Sequence, residues 1–81
     1  MQVKDVKAVL KPLKNIYEIE KVCVGAILTD KFDKIYKNFD EFLEDESIDH
    51  LEVNFEDEPV NYDVRGFRFI EEIDIWIKEV Q

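Results

Sequence analysis

The sequence predicts an α+β fold in which two amphipathic helices pack on one face of a mostly antiparallel sheet, in the order α-β-β-α-β-β-β. Two segments carry apolar residues at helical spacing, and several others carry them at every second position. No repeat, linker or low-complexity segment separates them, and 81 residues suit one small domain. Residues 1–81 are therefore predicted to form a single α+β domain.

The first helix is predicted over residues 3–11, where apolar residues recur three or four positions apart. Pro12 ends it near Leu10 or Lys11, because proline lacks the amide hydrogen that a helix interior needs. The residues predicted to face inward are Val3, Val6, Val9, Leu10 and Leu13.

Residues 15–28 are predicted to form two strands or one bent strand. Tyr17 and Ile19 share one parity, whereas Val22, Val24 and the apolar residues after them have the opposite parity. A change of parity requires an inserted residue or a turn, which places a break near residues 20–21. Gly25 predicts either a second irregularity or a close backbone approach.

The second helix is predicted over residues 32–43, with Thr29 or Asp30 as its cap. Its apolar stripe consists of Phe32, Ile35, Tyr36, Phe39, Phe42 and Leu43. Its charges run against the helix dipole, which favours acids at the N-terminus and bases at the C-terminus. Lys31, Lys34 and Lys37 lie in the first half, and Asp40, Glu41, Glu44 and Asp45 lie in the second half.

The remaining strands are predicted from alternation. In residues 49–56, Leu51, Val53 and Phe55 face inward, and the polar residues between them face outward. Residues 67–80 fit either a helix or a hairpin. The hairpin is favoured, because the helix would expose Ile75. The segment is also rich in β-branched and aromatic residues, which are typical of strands.

The favoured hairpin turns at residues 70–72. Its register pairs Phe69 with Ile73 and Phe67 with Ile75 across the strands, and Arg68 with Asp74 on the reverse face. It also places Gly66 opposite Trp76, so that the indole covers the glycine. The absence of Gly or Asn from residues 70–72 argues against this turn.

Charge is distributed unevenly along the chain. Residues 1–39 carry eight Lys and five acids, whereas residues 40–81 carry three bases and fifteen acids, for a net charge of −9. Residues 38–64 contain no Lys or Arg. A chain this acidic repels nucleic acids and anionic lipid, so it is predicted to bind neither.

These acids predict a recognition surface for a basic, nucleic-acid-binding protein, with the carboxylates substituting for backbone phosphates. Trp76, Tyr62 or Tyr36 would supply apolar anchors if exposed. The predicted partner-binding residues are Asp40, Glu41, Glu44, Asp45, Glu46, Glu52, Glu56, Asp57, Glu58 and Trp76.

A second interpretation assigns the acids to solubility alone. The chain would then be a non-catalytic homo-oligomeric or scaffold module, such as a homodimer, that makes contact through an apolar strand edge or the Trp76 face.

Catalytic and metal-binding motifs are scarce in the sequence. It contains one His, one Cys, one Ser and two Gly, which are too few for a phosphate-binding loop or a catalytic triad. The chain is therefore predicted not to be an enzyme, and no cofactor or metal is predicted. The acid runs at 44–46 and 56–58 lack the spacing of a calcium-binding loop. Cys23 is predicted to be a buried apolar residue. Because it is the only cysteine and has no disulfide partner, the protein is predicted to act in a reducing cytoplasm.

The opening VKDVKAVLKPL and the following IYEIE resemble short proteins from phages and mobile elements of AT-rich bacteria, over about twenty residues. In its acidity and size the chain is similar to small phage inhibitors, including anti-CRISPR and DNA-mimic proteins. The resemblance implies an inhibitor that acts in the bacterial or phage-infected host cytosol.

Overall fold

The architecture is α+β, with two α-helices and a four-stranded sheet. The computed structural model describes residues 1–26, 31–54 and 59–78. Its elements are helix α1 (Val3–Leu10), a 3₁₀ helix (Lys11–Asn15), strands β1 (Glu18–Ala26) and β2 (Lys31–Tyr36), helix α2 (Phe39–Glu44), a second 3₁₀ helix (Glu46–Ile48), and strands β3 (Val60–Arg65) and β4 (Phe69–Ile77).

The sheet is mixed, with the strand order β2-β1-β4-β3. Its two central strands, β1 and β4, run parallel, and each pairs antiparallel with its edge strand. The predicted antiparallel character is therefore only partly right, since the central pairing is parallel. Parallel neighbours need a long connection, which here is the chain between residues 26 and 69.

Both helices pack on the same face of the sheet, as predicted. Apolar side chains of α1, α2, β1 and β4 belong to one buried cluster. Its members are Val3, Val6, Leu10, Val22, Val24, Tyr36, Phe39, Phe42, Ile48, Val53, Ile70, Ile73, Ile75 and Ile77. Because side chains alternate along a strand, the residues between these positions on β1 and β4 face away from the helices.

Helix α1 has the predicted extent and ends at Leu10, after which Pro12 lies in the 3₁₀ helix. Asp5 caps the first turn, where its carboxylate accepts a hydrogen bond from the Gln2 amide at 2.9 Å. One inward assignment was wrong, because Val9 is 67% exposed.

Residues 18–26 form one strand whose inward parity changes where the sequence indicated. Ile19 packs against the core cluster and Val22 belongs to it, although the two residues are three positions apart. Ile70 and Ile73 on β4 show the same spacing, and the register of β1 with β4 stays constant across it. The irregularity predicted at Gly25 is also present, as a shift in the β1–β2 register between Val24 and Gly25.

The predicted helix over 32–43 was wrong in its first half, which is strand β2. Phe32, Ile35 and Tyr36 satisfy helical spacing, but pairing with β1 provides backbone hydrogen bonds that this segment uses instead. The helix is confined to residues 39–44 and is capped by Asn38, whose side chain accepts a hydrogen bond from the Glu41 amide at 2.8 Å. Thr29 and Asp30, the predicted caps, lie outside the described residues.

The predicted strand 49–56 was wrong over its described residues, 49–54, where only isolated bridges occur. Glu52 bridges to Gln2 and Val53 bridges to Ile77, so the segment ties the start of α1 to the end of β4. Val53 is buried as predicted, whereas Asn54 is buried although it was predicted to be exposed. Phe55 lies outside the described residues.

The hairpin was predicted with the wrong turn. The chain reverses at residues 66–68, where Gly66 and Arg68 have positive φ angles of 57° and 61°, and β4 then runs straight through residues 70–72. A turn needs such backbone angles, which Gly adopts freely and the Ile70-Glu71-Glu72 segment does not. Phe69 consequently pairs with Arg65 instead of Ile73. The pairings predicted for Phe67, Arg68 and Gly66 are likewise absent, because all three residues lie in the turn.

Within the described part of the chain, no helix is both long enough and apolar enough to cross a membrane.

Replacing Ile73 by Ala should lower the free energy of unfolding by about 2–5 kcal/mol, because the side chain is fully buried between the sheet and the helices. Ile35→Ala is the matched control. Its side chain is 63% exposed, so the expected change is about 0.5 kcal/mol or less. Urea unfolding followed by circular dichroism measures both, and equal losses would contradict this core assignment.

Candidate functional site

Helix α2 brings together several of the acids predicted to contact a partner. Phe39 and Phe42 face the core, which leaves Asp40, Glu41 and Glu44 exposed on the outer side of the helix. Glu46, in the 3₁₀ helix that follows, is also exposed. We call Asp40, Glu41, Glu44 and Glu46 the α2 acidic surface.

The placement of these acids does not oppose the helix dipole, contrary to the sequence prediction. Because the helix begins at Phe39, Asp40 and Glu41 lie in its first turn, where negative charge is favourable. Lys34 precedes the helix and lies on β2. Local helix stability thus accounts for Asp40 and Glu41, and only Glu44, the last helical residue, retains an unfavourable position.

Asp45 has a structural role and does not belong to the exposed surface. Its carboxylate accepts hydrogen bonds from the Tyr36 hydroxyl at 2.6 Å and from the Ser47 amide and hydroxyl at 3.0 and 2.5 Å. Lys34 Nζ lies 3.4 Å away. The Ser47 and Tyr36 hydrogen bonds, with help from Lys34, hold the Asp45 pKa well below its usual range. The residue joins β2 to the second 3₁₀ helix.

Two lysines of the N-terminal region neutralise part of the acidic segment. Lys14 Nζ lies 3.2 Å from the Asp40 carboxylate, and Lys7 Nζ lies 2.5 Å from the Asp49 carboxylate. Lys7 also donates to the backbone oxygen of Asp45 at 2.6 Å. Among the described residues, Glu41, Glu44 and Glu46 form no ion pair, so they are the uncompensated members of the α2 acidic surface.

The remaining predicted residues are not all gathered there. Glu52 is exposed and lies 3.6 Å from the Met1 amino group, beside the start of α1. The acids predicted at 56–58 (Glu56, Asp57 and Glu58) lie outside the described residues.

Trp76 is partly buried and packs within the sheet. Its ring stacks on Phe32 with centroids 4.7 Å apart. Gly25 pairs with Phe32 on one side and with Trp76 on the other, and its lack of a side chain leaves room for the rings to meet. The prediction of a glycine opposite Trp76 named the wrong one, since the partner is Gly25 and not Gly66.

A second cluster, which the sequence did not predict, lies on the sheet face opposite the helices. The parallel register of β1 and β4 places Lys21 beside Glu72 and Cys23 beside Asp74. Lys21 Nζ lies 3.0 Å from Glu72 Oε1. Cys23 is buried, as predicted, with 2% of its surface exposed. We call Cys23, Glu72 and Asp74 the thiol–carboxyl cluster.

The two carboxyl groups of this cluster have opposite protonation preferences. Burial, reinforced by the hydrogen bond and negative charge of Glu72, raises the pKa of Asp74 to about 7. The hydrogen bond with Asp74 and the ion pair with Lys21 lower the pKa of Glu72. Burial also raises the pKa of the Cys23 thiol to about 11. Below about pH 7 Asp74 therefore holds a proton that it donates to Glu72, and Cys23 is a neutral thiol.

A polar cavity of about 310 Å³ adjoins the cluster on the β3 side. Arg65 and Glu71 form an ion pair at 3.0 Å at its edge. The residues that line it are Asn61, Tyr62, Asp63, Arg65, Glu71, Glu72 and Asp74. Solvent and small solutes thus have access to the two carboxyl groups.

Sequence reasoning missed this cluster because Cys23 and Asp74 are far apart in the chain and meet only through the parallel β1–β4 pairing. The one local signal is the alternation of Glu72, Asp74 and Trp76, which places two carboxyl groups on one face of a strand.

The stabilising contribution of Asp74 should decrease as the pH rises from 3.8 through about 7. The folded-state pKa of Asp74 is raised above its ordinary value of 3.8, so the folded state binds the proton more tightly than the unfolded state does. This contribution to stability is complete below pH 3.8 and is lost as the pH rises through about 7.

Asp74→Asn should remove most of this dependence, because the amide donates to Glu72 at every pH. Asp63→Asn, an exposed neighbour on the same cavity, is the control and should retain it. Urea unfolding at a series of pH values measures both. An unchanged slope in the Asp74 variant would contradict the shared proton.

Comparisons of the chain with protein-family models, with curated proteins and with solved structures gave no match.

Proposed function

We propose that this chain is a small, non-catalytic inhibitor that binds a basic nucleic-acid-binding site of a partner protein through the α2 acidic surface. The observation that carries the proposal is the group formed by Glu41, Glu44 and Glu46. These three carboxylates are exposed within six residues of sequence, and no base of the described chain pairs with them. These carboxylates can therefore pair with the basic side chains of another protein.

The density of charge on α2 supports substitution for a nucleic-acid backbone. From Asp40 to Glu44 the helix rises about 6 Å, at about 1.5 Å per residue. It presents three exposed carboxylates over that distance, of which Asp40 is paired with Lys14 and Glu41 and Glu44 form no ion pair among the described residues. Double-stranded DNA carries about one charge per 1.7 Å of axis, or about three to four charges over the same length. A cleft lined with Lys and Arg would meet charge of the same sign from either molecule, with about two uncompensated charges on α2 against about three to four on DNA.

The electrostatics of the whole chain favour the same kind of partner. The net charge of −9 attracts basic surfaces and speeds their association, with strong dependence on salt. In this proposal the chain is a DNA-mimic or anti-CRISPR-like inhibitor, encoded by a phage or mobile element and acting in the cytoplasm of a bacterial host. Its exposed acids lie on a helix that Phe39 and Phe42 pack into the core, so the surface is ordered before binding.

The alternative, a homo-oligomeric or scaffold module, also has a specific observation in its favour. Strand β3 is an edge strand, and Tyr62 and Val64 on it are exposed, as is Phe67 in the adjoining turn, which is 83% exposed. An exposed apolar edge can pair with a second copy. Trp76 does not favour this alternative, because it is stacked on Phe32.

The test combines charge reversal with competition by DNA. Partners are captured from a bacterial lysate on the immobilised wild-type chain, and double-stranded DNA is added as a competitor. We expect DNA to displace the partner, and the variant Glu41→Lys, Glu44→Lys, Glu46→Lys to lose at least tenfold in affinity. The loss should shrink at high salt, since screening weakens interactions between exposed charges.

The matched control reverses three exposed acids elsewhere, Glu18, Glu20 and Asp63, and therefore has the same net charge. It should bind nearly as tightly as the wild type. Equal loss in both variants would mean that net charge alone is recognised and would contradict a specific surface. A concentration-dependent dimer in solution, disrupted by Val64→Asp and unaffected by the α2 changes, would favour the homo-oligomeric alternative.

A further inference from the structure

The thiol–carboxyl cluster on the open face of the sheet contains one buried donor atom, Asp74 Oδ1, that no hydrogen bond from a described residue satisfies. We propose that Cys23, Glu72 and Asp74 bind one divalent transition-metal ion of the Zn²⁺ type. The site is independent of the α2 acidic surface, because α2 packs on the opposite face of the sheet.

The donor geometry is the first argument. One ligand atom from each of the three side chains lies within 4.8 Å of the other two. In a tetrahedral zinc site with metal–ligand distances of about 2.0–2.3 Å, ligand atoms are about 3.3–3.8 Å apart. The ligand atoms would have to approach one another by at most about 1.5 Å to reach this spacing. The two strands that carry the ligands are paired neighbours at the centre of the sheet, so the backbone positions are fixed in advance.

A buried oxygen atom without a partner is the second argument. Asp74 Oδ1 has less than 1 Å² of exposed surface and accepts no hydrogen bond from any described residue. Leaving a buried acceptor unsatisfied is unfavourable, and few such atoms persist without a reason. The thiol of Cys23, which is nine-tenths buried or more, lies within reach of the same carboxyl group. A cation between them would satisfy the Asp74 oxygen and would replace the hydrogen bond between the Cys23 thiol and Glu72.

The donor set selects the kind of ion. Ca²⁺ and Mg²⁺ prefer all-oxygen coordination, whereas a thiolate favours zinc and similar metals. Three protein ligands leave a fourth tetrahedral position for water. The cavity of about 310 Å³ beside Glu72 and Asp74 provides the route for the ion and the space for that water.

Lys21 sets the limit on affinity. Its ammonium group lies 3.0 Å from Glu72 Oε1 and would compete with a cation for that carboxylate. The lysine side chain is 42% exposed, so it can withdraw into solvent when the ion binds. Metal binding requires the Cys23 thiolate and the ionised carboxyl group of Asp74, so the protons of both groups are released to solvent as the ion enters.

The experiment titrates the metal-free full-length chain with Zn²⁺ by calorimetry and with Cd²⁺ by ultraviolet absorption, where a cadmium–thiolate bond gives a charge-transfer band. We expect one ion per chain and a cadmium–thiolate band. Cys23→Ser should abolish the band and weaken Zn²⁺ binding at least tenfold, and Asp74→Asn should weaken binding at least tenfold.

Lys21→Met should do the opposite and strengthen binding several-fold, because it removes the competing ammonium group. Asp63→Asn, on the same cavity but outside the ligand set, should leave the affinity unchanged within twofold. Circular dichroism and urea unfolding of each metal-free variant check that it is folded. Absence of the cadmium–thiolate band in the wild type, or equal Zn²⁺ affinity in the wild type and Asp74→Asn, would overturn the proposal.

Discussion

The parallel pairing of β1 with β4 is the interaction on which the rest of this structure depends. The two strands occupy the centre of the sheet and keep one register from Glu18 opposite Phe69 to Ala26 opposite Ile77. On one face this register brings Val22 beside Ile73 and builds the core under the helices. On the other face it brings Cys23 beside Asp74. A single set of backbone hydrogen bonds therefore places both the apolar core and the thiol–carboxyl cluster.

The acids of this chain have different physical roles, although they look alike in the sequence. Asp45 and Asp49 are engaged by hydrogen bonds and by lysines of the N-terminal region, so they hold the segment after α2 against the rest of the domain. Asp40 and Glu41 stabilise the first turn of a short helix. Once these contributions are set aside, Glu44 and Glu46 are the acids near α2 that neither fold nor helix stability explains.

The α2 acidic surface and the thiol–carboxyl cluster differ in the exposure of their carboxyl groups. Carboxylates on α2 are exposed, so they act through attraction that salt screens. Asp74 is partly buried, and a second negative charge beside Glu72 is unfavourable there. Both effects raise the pKa of Asp74. The two proposals are therefore separable. One concerns the recognition of a large basic surface, and the other concerns a small cation within the sheet.

Sequence alone was enough for the features that depend on neighbours in the chain. The end of α1 near Leu10, the parity change after Ile19, the irregularity at Gly25 and the burial of Cys23 all follow from local spacing or from residue type. Tertiary structure decided which strands pair and where the chain turns. The spacing of residues 32–36 predicts a helix, and only pairing with the free edge of β1 selected the strand. The thiol–carboxyl cluster could not be predicted either, because parallel pairing between distant segments changes the residue pattern of neither segment.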